Sequence, residues 1–130
     1  MHTKQGKRTD RRPAVGREGE AKAAVYLVER GFSVLACNVR TPHGEIDLIA
    51  QKGCLTIFVE VKTRTNLAYG YPETSLTKTK RAHFLAAIQF YLQQNIDITG
   101  DWRADVLAIV TGGEGRSPEI VHFENVLSEE

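Results

Sequence analysis

The chain has 130 residues, of which 42% are hydrophobic and 25% charged, with 17 Lys and Arg residues against 16 Asp and Glu residues. That length predicts one domain, and the composition excludes a collagen-like, coiled-coil or wholly disordered protein. A net charge of +1 excludes a protein that coats nucleic acid by bulk electrostatic attraction, but it leaves room for a local basic surface.

The chain begins with a basic segment, residues 1–15, which has no apolar periodicity and is predicted to be a mobile arm. The segment lacks the apolar stretch of a secretory signal. No part of the chain has the ~20 consecutive apolar residues that a membrane helix needs. We therefore expect a cytoplasmic protein that does not bind a membrane.

The pattern of apolar residues then predicts a helix followed by three strands. The helix covers residues 16–30, with an apolar stripe formed by Ala21, Ala24, Val25 and Val28. Strands are predicted over residues 32–38, 45–50 and 55–62. Residues 64–75 lack apolar periodicity and are predicted to form a loop, long enough to be typical of functional loops. In it, Tyr69 and Tyr71 either pack locally or stack on bases.

A second helix is the clearest element, with Thr77 as its N-cap and an apolar face of Phe84, Leu85, Ile88, Tyr91 and Leu92. Strands over residues 102–110 and 119–123 complete the order α-β-β-β-α-β-β. Residues 16–125 are thus expected to form one α/β domain with three layers, a central mixed sheet flanked by helices, before an acidic tail at 126–130.

Acidic residues in the second and third strands indicate where the chemistry lies. Strand alternation puts Glu45 and Asp47 on one face of the second strand, and Glu60 and Lys62 on one face of the third. A two-residue turn at 52–53 would make Asp47 and Glu60 diagonal neighbours, roughly 7–8 Å apart. The strands therefore bring acidic side chains together on one face.

These acids lie in strands that carry apolar residues on both faces: Ile49 shares the face of Asp47, and Ile46, Leu48 and Ala50 occupy the other face of the second strand. Burying uncompensated charges costs several kcal/mol, so a compensating cation is expected. Carboxylate oxygens without thiolate or imidazole suit Mg²⁺ or Mn²⁺. Glu20, near the sheet-facing side of the first helix, is the candidate third ligand, and Lys62 would stabilise negative charge during phosphodiester hydrolysis.

Cations are concentrated near this candidate site. Residues 62–81 carry five cations and one acid, and residues 1–17 carry six cations and one acid, whereas residues 113–130 are acidic. The neutral total is a sum of separated patches. Basic segments of this kind bind phosphate, and the predicted nucleic-acid-binding residues are Arg40, Arg64, Lys78, Lys80 and Arg81.

Several segments resemble one protein family. They are GREGEAKAAVYLVERGFSVLACNVR, HGEIDLIA, FVEVKTR and LTKTKR, within about residues 16–125. In this order they look like the YraN-like family of uncharacterised bacterial proteins. That family is similar in fold to the restriction-endonuclease-like, or PD-(D/E)XK, superfamily and especially to archaeal-type Holliday-junction resolvases.

The resemblance implies a three-layer restriction-endonuclease-like fold and a nuclease-like site. It assigns the motif acids to Asp47 and Glu60, the motif lysine to Lys62 and the helix-borne acid to Glu20. Ile46 stands where the motif has proline, a change that leaves the ligands intact. Because resolvases with this fold act as dimers, the resemblance is also compatible with a homodimer.

The sequence thus predicts a metal-dependent, endonuclease-like phosphodiesterase that cleaves structured or single-stranded nucleic acid, with DNA favoured over RNA. Two alternatives remain open. One is a module that binds nucleic acid or recruits a partner without cleavage. The other is a structural domain in which Glu60 and Lys62 belong to a cross-strand ladder of salt bridges.

Overall fold

The chain folds into an α/β structure with two helices and a five-stranded mixed sheet. The computed structural model describes residues 14–64, 76–112, 115 and 117–128. The predicted arm, up to residue 13, and the loop with Tyr69 and Tyr71 lie outside the described residues. The elements are α1 (Ala14–Glu29), β1 (Ser33–Thr41), β2 (Gly44–Lys52), β3 (Leu55–Arg64), α2 (Lys78–Gln94), β4 (Asp101–Val110) and β5 (Glu119–Phe123).

The strands lie side by side in chain order, β1-β2-β3-β4-β5. Only β3 and β4 are parallel, so α2 returns the chain from the end of β3 to the start of β4. One face of the sheet packs against Ala23 and Leu27 of α1, and the other against Phe84 and Ile88 of α2. The predicted three-layer α/β fold is confirmed.

The side of α1 that faces the sheet differs from the predicted one. Ala23 and Leu27 are fully buried, whereas Val25 and Val28 are 57% and 56% exposed. Gly19 lies one turn before Ala23, and a Cβ atom there would collide with the hydroxyl of Thr63 on β3. The buried stripe is therefore small at the start of α1, which lets the helix approach β3 closely.

The β2–β3 hairpin turns one residue later than predicted. Lys52 pairs with Leu55, so Gly53 and Cys54 form the turn, and Gly53 has a φ of 60°. A positive φ at the first central position favours glycine in a two-residue hairpin. The predicted register was wrong by two residues. The last observed pair is Leu48–Val59, so the ladder ends one residue before Asp47 and Glu60.

The alternation of side chains along β2 is also interrupted. Ile46 and Ile49 both pack in the α2 cluster, whereas Leu48 and Ala50 pack in the α1 cluster. The prediction that Ile46 shares a face with Leu48 was wrong, because a regular strand cannot put residues 46 and 49 on one side. The interruption falls at Asp47.

The end of the chain contributes to the core. Val126 and Leu127, which the sequence places in an acidic tail, pack partly buried against the α2 cluster. The backbone N–H of Val126 donates to the carbonyl of Ala104, with an N···O distance of 2.8 Å. The folded region therefore extends beyond residue 125. Neither described helix has the length and apolar character to span a bilayer.

Candidate functional site

The two central strands separate at the position of the predicted motif. The β2–β3 ladder ends at the pair Leu48–Val59, although β3 continues to pair with β4 as far as Arg64. Beyond this pair, the carboxylate of Asp47 accepts a hydrogen bond from the backbone N–H of Val61, with an N···Oδ2 distance of 2.8 Å. A side chain thus takes the place of a backbone carbonyl where the strands part.

Glu60 and Lys62 lie beside this opening on β3. Lys62 Nζ is 2.9 Å from Glu60 Oε2, and the two side chains are 12% and 33% exposed, respectively. Because strand alternation places residues two apart on the same face, the pair forms along one strand. The predicted pairing of Glu45 with Glu60 was wrong. Glu45 pairs with Arg40 across the β1–β2 ladder instead, with a 3.7 Å contact between their side chains.

The electrostatic environment of Asp47 opposes its negative charge. Burial raises the pKa of the carboxyl to about 6, and the negative charges of Glu60 and Glu45 also raise it. The hydrogen bond from Val61 and the charge of Lys62 lower it, but not by enough to offset the other effects. An acid held in its charged form at this cost is typical of a functional site rather than of a structural ion pair.

Glu20 is held by the edge strand β1. Its Oε1 atom accepts a hydrogen bond from Nδ2 of Asn38, at a distance of 2.9 Å. Gly19 precedes it at the close contact between α1 and β3, so the helix packing fixes where the Glu20 side chain starts. Glu20 is half-buried on the α1 side of the sheet, close to the orientation predicted from the helix.

The structure brings the predicted acids together only in part. Asp47 and Glu60 are electrostatic neighbours. Within the described parts of the chain, no three His, Cys, Asp or Glu side chains lie close enough to hold one metal ion. The donors that Asp47 and Glu60 offer are carboxylate oxygens, which are the ligands that Mg²⁺ and Mn²⁺ prefer. A divalent cation would also neutralise the acids that raise the pKa of Asp47.

The predicted phosphate-binding residues lie on several elements. Arg64 is half-buried at the end of β3, where its guanidinium donates to the carbonyl of Thr63 at 3.0 Å. Thr77 caps α2 as predicted, since its hydroxyl accepts from the N–H of Lys80 at 3.1 Å. Lys78 and Lys80 are exposed in the first turn of α2, which contains no acid. Of the remaining two predicted cations, Arg40 is exposed on β1 and Arg81 is half-buried on α2.

A second acid, Asp105 on β4, is fully buried and has a different environment. Arg103 binds both of its carboxylate oxygens at 2.8 Å, because residues two apart on one strand share a face. His122 Nε2 lies 2.8 Å from Oδ2, and the N–H of Asn125 donates to Oδ1 at 3.0 Å. Burial alone would raise the pKa of Asp105, but these hydrogen bonds outweigh it and lower the pKa below its usual value.

His122 was not predicted as a partner of Asp105. It lies 17 residues further along the chain, on the edge strand β5, and its Nδ1 atom is 3.2 Å from the hydroxyl of Tyr26 on α1. Only the pairing of β4 with β5 brings these groups together, and no spacing in the sequence signals it. The resulting chain of polar groups links α1, β5 and β4.

A groove of about 520 Å³ lies between α1 and β5 and is lined in part by Tyr26. Its walls include Val25 of α1 and Ile120 of β5. It contains none of the predicted catalytic or nucleic-acid-binding residues, so the candidate site and this groove are separate features of the molecule.

Comparisons with known proteins identify the family of this chain. Residues 19–109 match the model of an uncharacterised protein family, UPF0102. This chain belongs to the UPF0102 family. The matched segment contains Glu20, Asp47, Glu60 and Lys62. The family, also described as YraN-like, lies in the restriction-endonuclease-like superfamily, so the resemblance found in the sequence is confirmed.

Relatives in the UPF0102 family match over most of their length. A UPF0102 protein of Anaeromyxobacter dehalogenans is 43% identical over 88% of this chain and 84% of its own. One from Syntrophotalea carbinolica is 39% identical over 88% of this chain and 92% of its own. A third, from Desulfitobacterium hafniense, is 37% identical over 91% of this chain and 99% of its own. The names of these relatives give the family and no activity.

Among solved structures, the chain is similar to that of Pyrococcus furiosus SfsA in complex with Ca²⁺. The match has 14% sequence identity and a TM-score of 0.31, and it covers 84% of this chain and 62% of that one. A score this low supports no argument about the UPF0102 fold or its function.

Proposed function

We propose that this UPF0102 protein is a metal-dependent phosphodiesterase that cleaves structured or single-stranded nucleic acid. The observation that carries the proposal is the position of Asp47. It is a half-buried carboxylate beside Glu60, at the point where two central strands separate, with a pKa raised to about 6. Keeping this acid charged lowers the stability of the metal-free fold, and a divalent cation bound there would offset that cost.

In this proposal Asp47 and Glu60 bind Mg²⁺ or Mn²⁺, and Glu20 approaches from α1. The bound ion would polarise a phosphoryl oxygen and generate a nucleophilic water. Lys62 is 12% exposed and within 2.9 Å of Glu60, so its ammonium group is held beside the ligands. There it would donate hydrogen bonds to the negative charge that develops on the phosphate.

The substrate would be held by cations around the opening. Arg64 follows Lys62 on β3, and Lys78 and Lys80 flank the N-terminus of α2. A helix N-terminus favours an anion, with an energy of ~0.3–1 kcal/mol at an exposed site. The three basic side chains at the start of α2, those of Lys78, Lys80 and Arg81, are unfavourable there unless phosphate groups approach. We therefore assign phosphate binding to these three residues, together with Arg40 and Arg64.

Cleavage assays on branched, flap and single-stranded DNA and RNA test this function directly. We expect cleavage with Mg²⁺ or Mn²⁺, none with a chelator, and a loss of at least 100-fold in Asp47→Ala, Glu60→Ala and Lys62→Ala. Asp101→Asn is the matched control, because it removes an exposed acid at the opposite end of the sheet. Equal cleavage by wild type and the three site variants would show that the activity comes from a contaminant and would refute the proposal.

A second candidate function is binding of nucleic acid without cleavage. Two observations favour it: Lys62 is engaged in an ion pair with Glu60, and the described residues form no group of three acids. Phosphate contacts would then dominate the interaction, so affinity would fall steeply with salt concentration.

Equilibrium binding to the same substrates at increasing salt distinguishes the two functions. For a binding module, Asp47→Ala retains the affinity of wild type, while Lys78→Gln combined with Lys80→Gln weakens binding and reduces the salt slope by about 2. Lys52→Gln is the matched control, since Lys52 is exposed at the far end of β2. Binding that does not change with salt would exclude this candidate.

A further inference from the structure

The first helix exposes apolar side chains beside the groove. Val25 and Val28 are 57% and 56% exposed, and Ala21 is exposed one turn before Val25. Spacings of three and four residues place these side chains on one side of a helix. The groove runs along this side, and its apolar lining continues to Ile120 on β5. We call the exposed side of α1 from residue 18 to residue 30, together with the groove, the α1 face.

Four charged residues of alternating sign line the groove on the α1 face. Glu18 and Lys22 lie in the N-terminal half of the helix, and Glu29 and Arg30 lie at its C-terminal end. Arg30 is held in place, because its guanidinium stacks 3.7 Å from the centre of the Tyr26 ring and donates to the Tyr26 carbonyl at 3.3 Å. The other three form no ion pair within the described parts of the chain, so they are available to a partner.

The order of these charges fits a second copy of the same helix. Lys22 lies three residues before Val25, and Glu29 lies four residues after it. If two copies of α1 pack antiparallel about a two-fold axis near Val25, Lys22 of each copy therefore lies opposite Glu29 of the other. The same packing brings Glu18 of one copy towards Arg30 of the other. A two-fold interface uses the same patch on both subunits, and the α1 face meets this requirement for self-complementarity.

Other orientations and other occupants fit the α1 face less well. Parallel packing would place Lys22 against Lys22 and Glu29 against Glu29, and like charges across an interface oppose association. Nucleic acid would meet the carboxylates of Glu18 and Glu29, which repel phosphate. The antiparallel second copy is the occupant that places opposite charges together along the whole face.

We propose that the α1 face is the contact surface of a homodimer, in which α1 packs antiparallel against α1 of a second copy with Val25 at the two-fold axis. Val25 and Val28 of both copies would be removed from water there, which favours association. The two contacts between Lys22 and Glu29 would set the orientation. None of the residues assigned to cleavage or to nucleic-acid binding takes part, so the dimer is independent of the proposed function.

Sedimentation equilibrium of charge-reversal variants tests this dimer. We expect a wild-type dimer and association at least ~100-fold weaker in Lys22→Glu and in Glu29→Lys, because each variant places two pairs of like charges across the interface. An equimolar mixture of the two variants should form a heterodimer, since both contacts then join opposite charges. Asp97→Lys, which reverses an exposed acid after α2, is the matched control and should remain dimeric. A mixture that stays monomeric overturns the proposal.

The apolar part of the interface has its own variant. Val25→Lys should be monomeric, whereas Ile96→Lys, at an 80% exposed position after α2, is the matched control and should remain dimeric. Circular dichroism checks that each variant keeps its fold. A wild-type protein that is monomeric at its highest soluble concentration would refute the proposal. Val25→Lys and Lys22→Glu variants that both dimerise as wild type does would refute it too, because the copies would then meet through another surface.

A measurement on the wild-type protein remains decisive if a variant fails to fold. A carbodiimide joins an amine directly to a carboxylate that it contacts. Lys22 and Glu29 of one chain are seven residues apart, ~10 Å along the helix, so they cannot be joined within the same α1. In a mixture of isotopically light and heavy copies, we expect a mixed-mass cross-link between these two residues. Its absence from a dimeric protein would contradict the antiparallel packing of α1.

Discussion

Two aspartates, the half-buried Asp47 on β2 and the buried Asp105 on β4, show how differently the same side chain can be accommodated in one sheet. Asp105 has no exposed side-chain surface and is bound by Arg103, His122 and the backbone of Asn125, and its pKa is lowered. Asp47 receives a backbone hydrogen bond and faces other acids, and its pKa is raised. The difference lies in the partners rather than in burial. An acid that stabilises the fold is paired with an opposite charge, as Asp105 is with Arg103. The charge of Asp47 is not fully compensated by the described residues.

The largest expected effect on stability comes from neutralising Asp105, the acid with charged partners. Asp105→Asn should lower the free energy of unfolding by about 3 kcal/mol at pH 7, because it leaves Arg103 and His122 facing a neutral group. Arg103 retains 22% exposure, so the loss should fall at the lower end for a buried pair. Since the pKa of Asp105 is lowered, its stabilisation is present above pH ~4 and is lost as the pH falls through the folded-state pKa. Urea unfolding at several pH values measures this. Equal stability of variant and wild type at pH 7 would contradict it.

The same substitution at the other acid should act in the opposite direction. Asp47→Asn keeps an oxygen that accepts from Val61 and removes the charge, so it should stabilise the metal-free protein. A rise in pKa from 3.8 to about 6 corresponds to at most about 3 kcal/mol, and we expect about 2 kcal/mol at pH 8.

The pH dependence checks the cause of this gain. Because the folded-state pKa of Asp47 is raised, its contribution to stability is complete below pH ~4 and is lost as the pH rises through about 6. Wild type and Asp47→Asn should therefore unfold alike near pH 3.5 and diverge by pH 7, with chelator present throughout. A difference that does not vary with pH would show that the gain has another origin.

Bound metal should reduce the difference between Asp47 and Asp105 in how each charge affects the stability of the fold. Mn²⁺ at ten times its dissociation constant should stabilise wild type by about 1.4 kcal/mol. The same addition should leave Asp47→Asn unchanged and should stabilise Asp105→Asn as much as wild type. Thermal unfolding with and without Mn²⁺ measures all three proteins. Equal stabilisation of Asp47→Asn would place the ion elsewhere.

The smallest expected effect lies at the outer end of the Asp105 network. Tyr26→Phe removes a hydroxyl that is 3.2 Å from His122, so the free energy of unfolding should fall by about 0.5–1 kcal/mol. Cleavage and Mn²⁺ binding should not change, since Tyr26 contacts none of the proposed ligands. A loss of Mn²⁺ affinity in this variant would mean that the two acids are coupled through the fold.

Much of the fold could be predicted from local patterns. The period of the apolar residues identified α2, with Thr77 at its start, and the apolar strands were located to within a few residues. The Arg103–Asp105 pair was also predictable, because alternation along one strand is enough to bring residues two apart together. Each of these features depends on contacts within a single element.

The details of the site could not be predicted in the same way. The register of the hairpin depends on whether the turn begins at Lys52 or Gly53, and one residue of difference moves the pairing by two. The interrupted alternation at Asp47 accompanies the left-handed backbone of Asn38, which strand periodicity does not reveal. The stripe of α1 was misread because the small residues Gly19 and Ala23 face the sheet while larger valines face outward.

The hydrogen bond from Val61 to Asp47 makes one amide of the central sheet depend on a side chain. Amide hydrogens in a strand ladder exchange with solvent only when the ladder opens, and their protection reports the stability of the whole region. The protection of the Val61 amide should instead follow the ionisation of Asp47 and whatever binds to it. Hydrogen exchange at this single position would therefore serve as a built-in sensor of the site, readable without a substrate and against the constant background of the neighbouring strand amides.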